Sequence, residues 1–306
     1  MLSSVIKTRA CEATKNQFCR LTKILQEMDK HPKLEVKIDK KLEKQSFTSF
    51  IKDNNYTTKK IFNSYPLLKK QMENRVAIEQ FVDNFINNLY KKYEKDIQTI
   101  VKKESTVLSK VNNEIFSGIT LVMNYKFKKE FVYKAIPTFL PFSPTGNDFF
   151  QFSLYKQLIE KENSKRRVDR IAIHELTHVV WYKLVPCIYK KLNLKLNNAA
   201  NYYLKESIAV IVCENKVFNN INGGFSPQNK DLSLLKVKQN DAELCFVDYA
   251  KNIYNQSENF NDFLTTIIKK VYAIQNKLEN KQDIWNKYGF SEEELTKLCF
   301  YKAVII

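Results

Sequence analysis

Ile173-His174-Glu175-Leu176-Thr177-His178-Val179-Val180 is the stretch on which the reading of this chain turns. Two histidines four residues apart lie one helical turn apart on a single face, close enough for both imidazoles to hold one Zn²⁺. The glutamate between them sits beside that ion, where it can take a proton from an activated water. With 3 histidines and 21 glutamates in 306 residues, shuffling the composition yields roughly 0.002 matches to this H-E-x-x-H spacing. Apolar Ile171, Ile173, Leu176, Val179 and Val180 bury the rest of the helix and leave the histidine face polar. The plain alternative, a pair of core histidines, would leave two buried imidazoles without partners, which is costly.

A catalytic zinc site needs a third protein ligand and an open fourth position. The remaining histidine, His31, precedes Pro32 far upstream, so a downstream carboxylate is the natural choice. Glu206, in Leu204-Lys205-Glu206-Ser207-Ile208-Ala209, opens a strongly apolar helical stretch where an unpaired carboxylate would be expensive unless it bound a cation. Glu214, at the exit of the same stretch, is the second candidate and is easier to solvate. Twenty-seven residues separate His178 from Glu206, enough for a helix end, a turn at Pro186 and a returning helix.

Outward from the motif, Phe150, Phe152 and Leu154 alternate with Gln151 and Ser153, the period of a half-exposed strand. Strand-like text also covers Ile119 to Tyr125 and Phe131 to Ile136, with Pro137, Pro141 and Pro144 clustering in a loop that ends at Gly146. The first third reads helical. Phe18 to Met28 has helical spacing, and a longer helix starts near Ser64 with Pro66 in its first turn. Its apolar face is Leu68, Met72, Val76, Val82, Phe85, Ile86, Leu89, Tyr93, Ile97 and Ile100. Ser164 can cap the motif helix, which ends before Pro186, and a second helix spans about Asn198 to Glu214. Asn219 to Pro227 is a polar loop, followed by helices over Phe263 to Leu278 and from a capping box at Ser291. This divides the chain into a helical region at 1–117, a core at 118–218 and a helical subdomain at 219–306 that completes the cleft.

Composition is ordinary globular, with 44% apolar and 27% charged residues. The longest apolar run is Ile208 to Cys213, too short to span a bilayer, and no export signal is readable. The six cysteines lack CxxC or small-scaffold spacing, so reduced thiols in a cytoplasmic setting are expected. The net charge of +17 raises the question of nucleic acid. The excess is spread evenly along the chain, however, and consists of 44 lysines against 6 arginines, which argues against a dedicated nucleic-acid surface. Lys165, Arg166, Arg167 and Arg170 crowd the start of the motif helix against its dipole, and a local acidic group such as Glu162 or Asp169 would relieve them.

H-E-L-T-H followed by E-S-I-A resembles the zincin metallopeptidases, and within them the gluzincins, over roughly residues 118–215. The resemblance implies an α+β catalytic domain: a small mixed sheet whose edge strand packs on the H-E-x-x-H helix, flanked by helical regions. It implies one Zn²⁺ per chain held by His174, His178 and Glu206, with Glu175 as general base in the hydrolysis of a peptide or protein substrate. The edge strand would take an extended peptide by main-chain hydrogen bonds. Oxyanion help would come from a Tyr, His or Arg, and Tyr202 and Tyr203 lie one turn before Glu206. The metzincin pattern, with a third histidine six residues on, is absent because residue 184 is Leu. Two other readings stay open. One is a catalytically silent zinc domain whose basic surface meets nucleic acid or protein; the other is a proteolytic effector whose N-terminal helices select one host protein.

Overall fold

The computed structural model describes residues 31–53, 56–73, 78–159, 168–223, 232, 234–239 and 242–278. The readings at Phe18–Met28, Glu162, Ser164, Lys165–Arg167 and Ser291 lie outside these residues. Among the described residues the chain is a mixed α/β protein, about 71% helical, with a small sheet. No helix among the described residues is long and apolar enough to cross a membrane.

Strand β1 (Lys33–Val36) leads into helices α1 (Lys40–Lys52), α2 (Tyr56–Ser64), α3 (Pro66–Glu73), α4 (Ile78–Lys92) and α5 (Glu94–Met123). Strands β2 (Val132–Thr138) and β3 (Phe149–Ser153) follow, then a π-helical turn at Tyr155–Ile159. Next come the motif helix α6 (Val168–Leu192) and α7 (Asn198–Cys213). An antiparallel pair, β4 (Lys236–Gln239) and β5 (Ala242–Cys245), precedes α8 (Phe246–Gln256) and α9 (Phe260–Ile274).

The main sheet has the order β1-β2-β3 with every pairing parallel. The mixed sheet expected from the sequence is therefore a parallel one. Its antiparallel feature is short: Thr145, in the loop between β2 and β3, bridges Phe150, with Gly146 N donating to Phe149 O and Gln151 N to Pro144 O. Pro137 sits in the central strand without harm. Residues 134 and 138 of β2 bond toward β3 and residue 135 toward β1, so the missing N–H of Pro137 faces the β1 side. There β1 has already ended, its pairing stopping at Val36 opposite Ala135.

Several expected boundaries shift. The strand read from Ile119 is helix: α5 runs through 118 to Met123 and ends on left-handed Asn124. The domain boundary drawn at 118 thus falls inside α5. Gly118 is not a breaker there but a contact point, since a Cβ on it would lie 2.4 Å from a ring carbon of Phe218. The single helix expected from Ser64 to Ile100 begins at Pro66 and is interrupted at Tyr93, between α4 and α5, and Leu68, Val82, Ile86 and Ile97 on it are buried. β3 is not half-exposed either. Gln151 is fully buried with Phe150, Phe152 and Leu154, because α6 packs on β3 while Gln151 Nε2 reaches Glu43 on α1.

The motif helix does not stop before Pro186 but carries it inside, ending at left-handed Asn193. Pro186 lies on the exposed side with Tyr182 and Cys187, so the Tyr182 carbonyl that loses its donor can face water. Asn197 then caps α7, accepting from Ala200 N, while Tyr189 Oη donates to Asn201 Oδ1 and ties α6 to α7.

The helices of the first third hold the end of β2. Tyr65 Oη donates to Phe139 O at 2.6 Å, and Phe139 N donates to Glu43 Oε1 at 2.6 Å. Tyr90 and Phe139 meet edge to face, as do Tyr65 and Phe85. The loop from Phe139 to Asp148 is thereby anchored at its root, directly above α6.

Candidate metal centre

α6 and α7 pack side by side, and their facing polar residues meet in an apolar interior. His174 and His178 project one turn apart from α6, their rings 4.6 Å between centroids and nearly perpendicular. Glu206 faces them from α7. His174 Nε2 lies 3.0 Å from His178 Nε2 and 3.3 Å from Glu206 Oε2, and His178 Nε2 lies 3.4 Å from Glu206 Oε1. The three ligand atoms all lie within 4.8 Å of one another, and this buried His-His-Glu group could hold a metal ion. The residues are between 3% and 8% exposed, so only a cation or proton at their centre relieves the crowding of these lone pairs.

Glu175 is also buried, and its Oε2 accepts a hydrogen bond from the Thr145 hydroxyl. Burial pushes its carboxyl up to about 7, opposed by the charge of His174 and the Thr145 bond. Thr145 comes from the loop that bridges β3, so the β2–β3 connection delivers a donor to the residue between the two histidines.

The surrounding charges are unequal. Burial disfavours the charged form of His174, but contact with the Cys213 thiol and Glu206 outweighs it and raises this imidazole to about 10. Burial and the nearby Lys205 cation push His178 down to about 3. Glu206 is driven well below the usual carboxylate range, since His178 and Lys205 more than offset its desolvation. Lys205 Nζ stands 2.7 Å from Glu206 Oε1.

The sequence candidates divide cleanly. His174, His178, Glu206 and Glu175 converge. Glu214 does not: it caps α7 about two turns beyond Glu206 and pairs with Lys251 at 2.6 Å. His31 bonds Ser117 on α5. Tyr203 is fully buried and packs against Phe246 and Tyr202. Asp169 is buried in the first turn of α6 and accepts from Arg170 N. Thr145, Lys205 and Cys213 were not singled out beforehand. Lys205 adjoins Glu206 in sequence and could have been, but nothing local marks Thr145. Comparison of the chain with protein-family models, with curated proteins and with solved structures finds no match.

Proposed function

We propose that the chain is a zinc-dependent metallopeptidase of the gluzincin kind, with His174, His178 and Glu206 as ligands and Glu175 as general base. The observation that carries this reading is the convergence of two helices on one point with a buried carboxylate beside it. Tetrahedral zinc with bonds of about 2.0–2.1 Å separates its ligand atoms by about 3.3–3.4 Å. The separations here are 3.3 Å from His174 to Oε2, 3.4 Å from His178 to Oε1 and 3.0 Å between the two nitrogens, at or slightly inside that spacing, and two imidazoles with one carboxylate are a donor set that suits zinc. Bound there, zinc would polarise a scissile carbonyl and acidify water. Glu175 would hold the proton taken from that water on its free carboxylate oxygen and pass it to the leaving amine. Thr145 fixes the other oxygen, so the base is aimed and not free to rotate. The antiparallel segment Pro144–Gly146 borders the site beside Glu175, a place where an extended substrate could align.

Elemental analysis of purified wild type, Glu206→Ala and Glu214→Ala tests the ligand set. One zinc per chain in wild type and Glu214→Ala, and none in Glu206→Ala, is expected. Glu175→Gln should keep its zinc and lose hydrolysis of a complex peptide mixture read by mass spectrometry. Equal cleavage by that variant would falsify the assignment.

A further inference from the structure

Lys205 has no part in the reading above, yet it lies inside the site. Its side chain is 15% exposed, its Nζ contacts Glu206, and its charge also bears on Tyr182 and Glu175. An ammonium withdrawn from water needs anionic partners. Glu206 serves as one only while its carboxylate is uncommitted. Once it ligates a divalent ion, ion, Glu206 and Lys205 together carry two net positive charges, and ionised Glu175 reduces this to one. The site is then short of one anion.

We propose that Lys205 receives an anionic oxygen at the open side of the His174–His178–Glu206 triangle, donating to the scissile carbonyl oxygen as negative charge develops on it. The inference rests on the metallopeptidase reading. Reach supports it. Lys205 Nζ lies 2.7 Å from an oxygen of Glu206, the carboxylate that faces both imidazoles, so an oxygen seated beside that carboxylate is within hydrogen-bond reach of the ammonium. The chain-terminal carboxylate of an exopeptidase substrate would lie a residue farther off, so the short reach assigns Lys205 to the scissile carbonyl. The four-carbon stem lets Nζ turn from Glu206 to that oxygen while staying protonated throughout. Its contribution is a donor and a fixed charge in a water-poor site, where such groups act most strongly on developing charge.

The test uses the full chain loaded with cobalt(II), whose visible absorption reports coordination, and acetate as the anionic probe. Wild type should take up one cobalt and bind acetate. Lys205→Gln should keep its cobalt and unliganded spectrum but bind acetate at least tenfold more weakly, while Lys205→Arg stays within about threefold of wild type. Lys205→Met provides the same comparison should Lys205→Gln not fold. Three results overturn the inference alone: unchanged acetate affinity in Lys205→Gln, wild type that holds cobalt but no acetate, or weakened cobalt binding with acetate affinity intact. The last would make Lys205 a positioning residue for Glu206. Wild type that takes up no cobalt and no zinc overturns both the inference and the metallopeptidase reading.

Discussion

Two side chains outside the proposed ligand set bear on how the proposed site would work. Thr145 donates to Glu175 across a gap of thirty residues. A hydrogen bond to a charged group is worth about 1.5–3 kcal/mol, so Thr145→Val should lower kcat about tenfold or more, with zinc retained and Thr145→Ser close to wild type. An unchanged kcat in the valine variant would remove Thr145 from the machinery. Glu43 anchors the same loop from below. Burial raises its carboxyl to about 8 from the ordinary 4.5, against the opposing hydrogen bonds from Thr138 and Phe139 N. The folded chain therefore keeps a proton that the unfolded chain releases between those values. Stability is full below about 4.5 and falls as pH rises towards about 8, on the order of 1.4 kcal/mol per unit. Glu43→Gln, neutral throughout, should flatten this slope in urea titrations at pH 5, 6.5 and 8. Parallel curves for variant and wild type would mean that Glu43 is ionised in the fold.

Helices α5 and α6 each contain a residue that local propensity would exclude. Alanine exceeds glycine by about 1 kcal/mol in a helix interior, yet Gly118→Ala should destabilise the protein. The added methyl meets the Phe218 ring at 2.4 Å, and overpacking of this kind costs about 1–3 kcal/mol. Pro186 is the opposite case. It interrupts α6 on a face open to water and touches none of the site residues by sequence position, being two turns beyond His178. Pro186→Ala should restore one helical hydrogen bond and raise stability by about 1–3 kcal/mol in chemical denaturation. A loss in that variant would show that the bend at Pro186 is needed for α6 to meet α7.

On the scale of the whole molecule, a metal held as proposed would be linked to the fold, because His174, His178 and Glu206 come from two helices that meet only when the core is formed. A ligand present at a thousand times its dissociation constant stabilises the native state by about 4.1 kcal/mol, which for a chain of this size shifts Tm by on the order of 10 °C. Zinc should raise Tm and a chelator lower it, with Glu206→Ala insensitive to both. A wild-type Tm indifferent to zinc would sink the metal assignment. The N-terminal helices share in the same unit: Tyr65 and Glu43 hydrogen-bond the Phe139 backbone, and Tyr90 bonds the Pro137 carbonyl and packs on the Phe139 ring, so together they hold the loop that carries Thr145. Their truncation at α1 should cost activity before it costs zinc, as measured by elemental analysis beside peptide cleavage.

The His174, Glu175, His178 and Glu206 cluster was legible because its chemistry is local: the first three are fixed relative to one another by helical spacing alone, and Glu206 stands out as a carboxylate just before an apolar run. α7 was legible in its apolar run, β2 in its β-branched and aromatic residues, and the place of β3, though not its burial, in its alternation. The rest depended on distance. Ile119 reads as the start of a strand until α5 is seen to run through it to Met123; Gln151 reads as solvent-facing until Glu43 covers it; and Pro186 reads as a stop until its face is known to be wet. Short-range pattern reports what a residue prefers when nothing else touches it. Which loop aims Glu175, which lysine crowds Glu206 and which carboxylate stays out with Lys251 were decided by tertiary packing, because each joins groups whose separation along the chain carries no periodic signal.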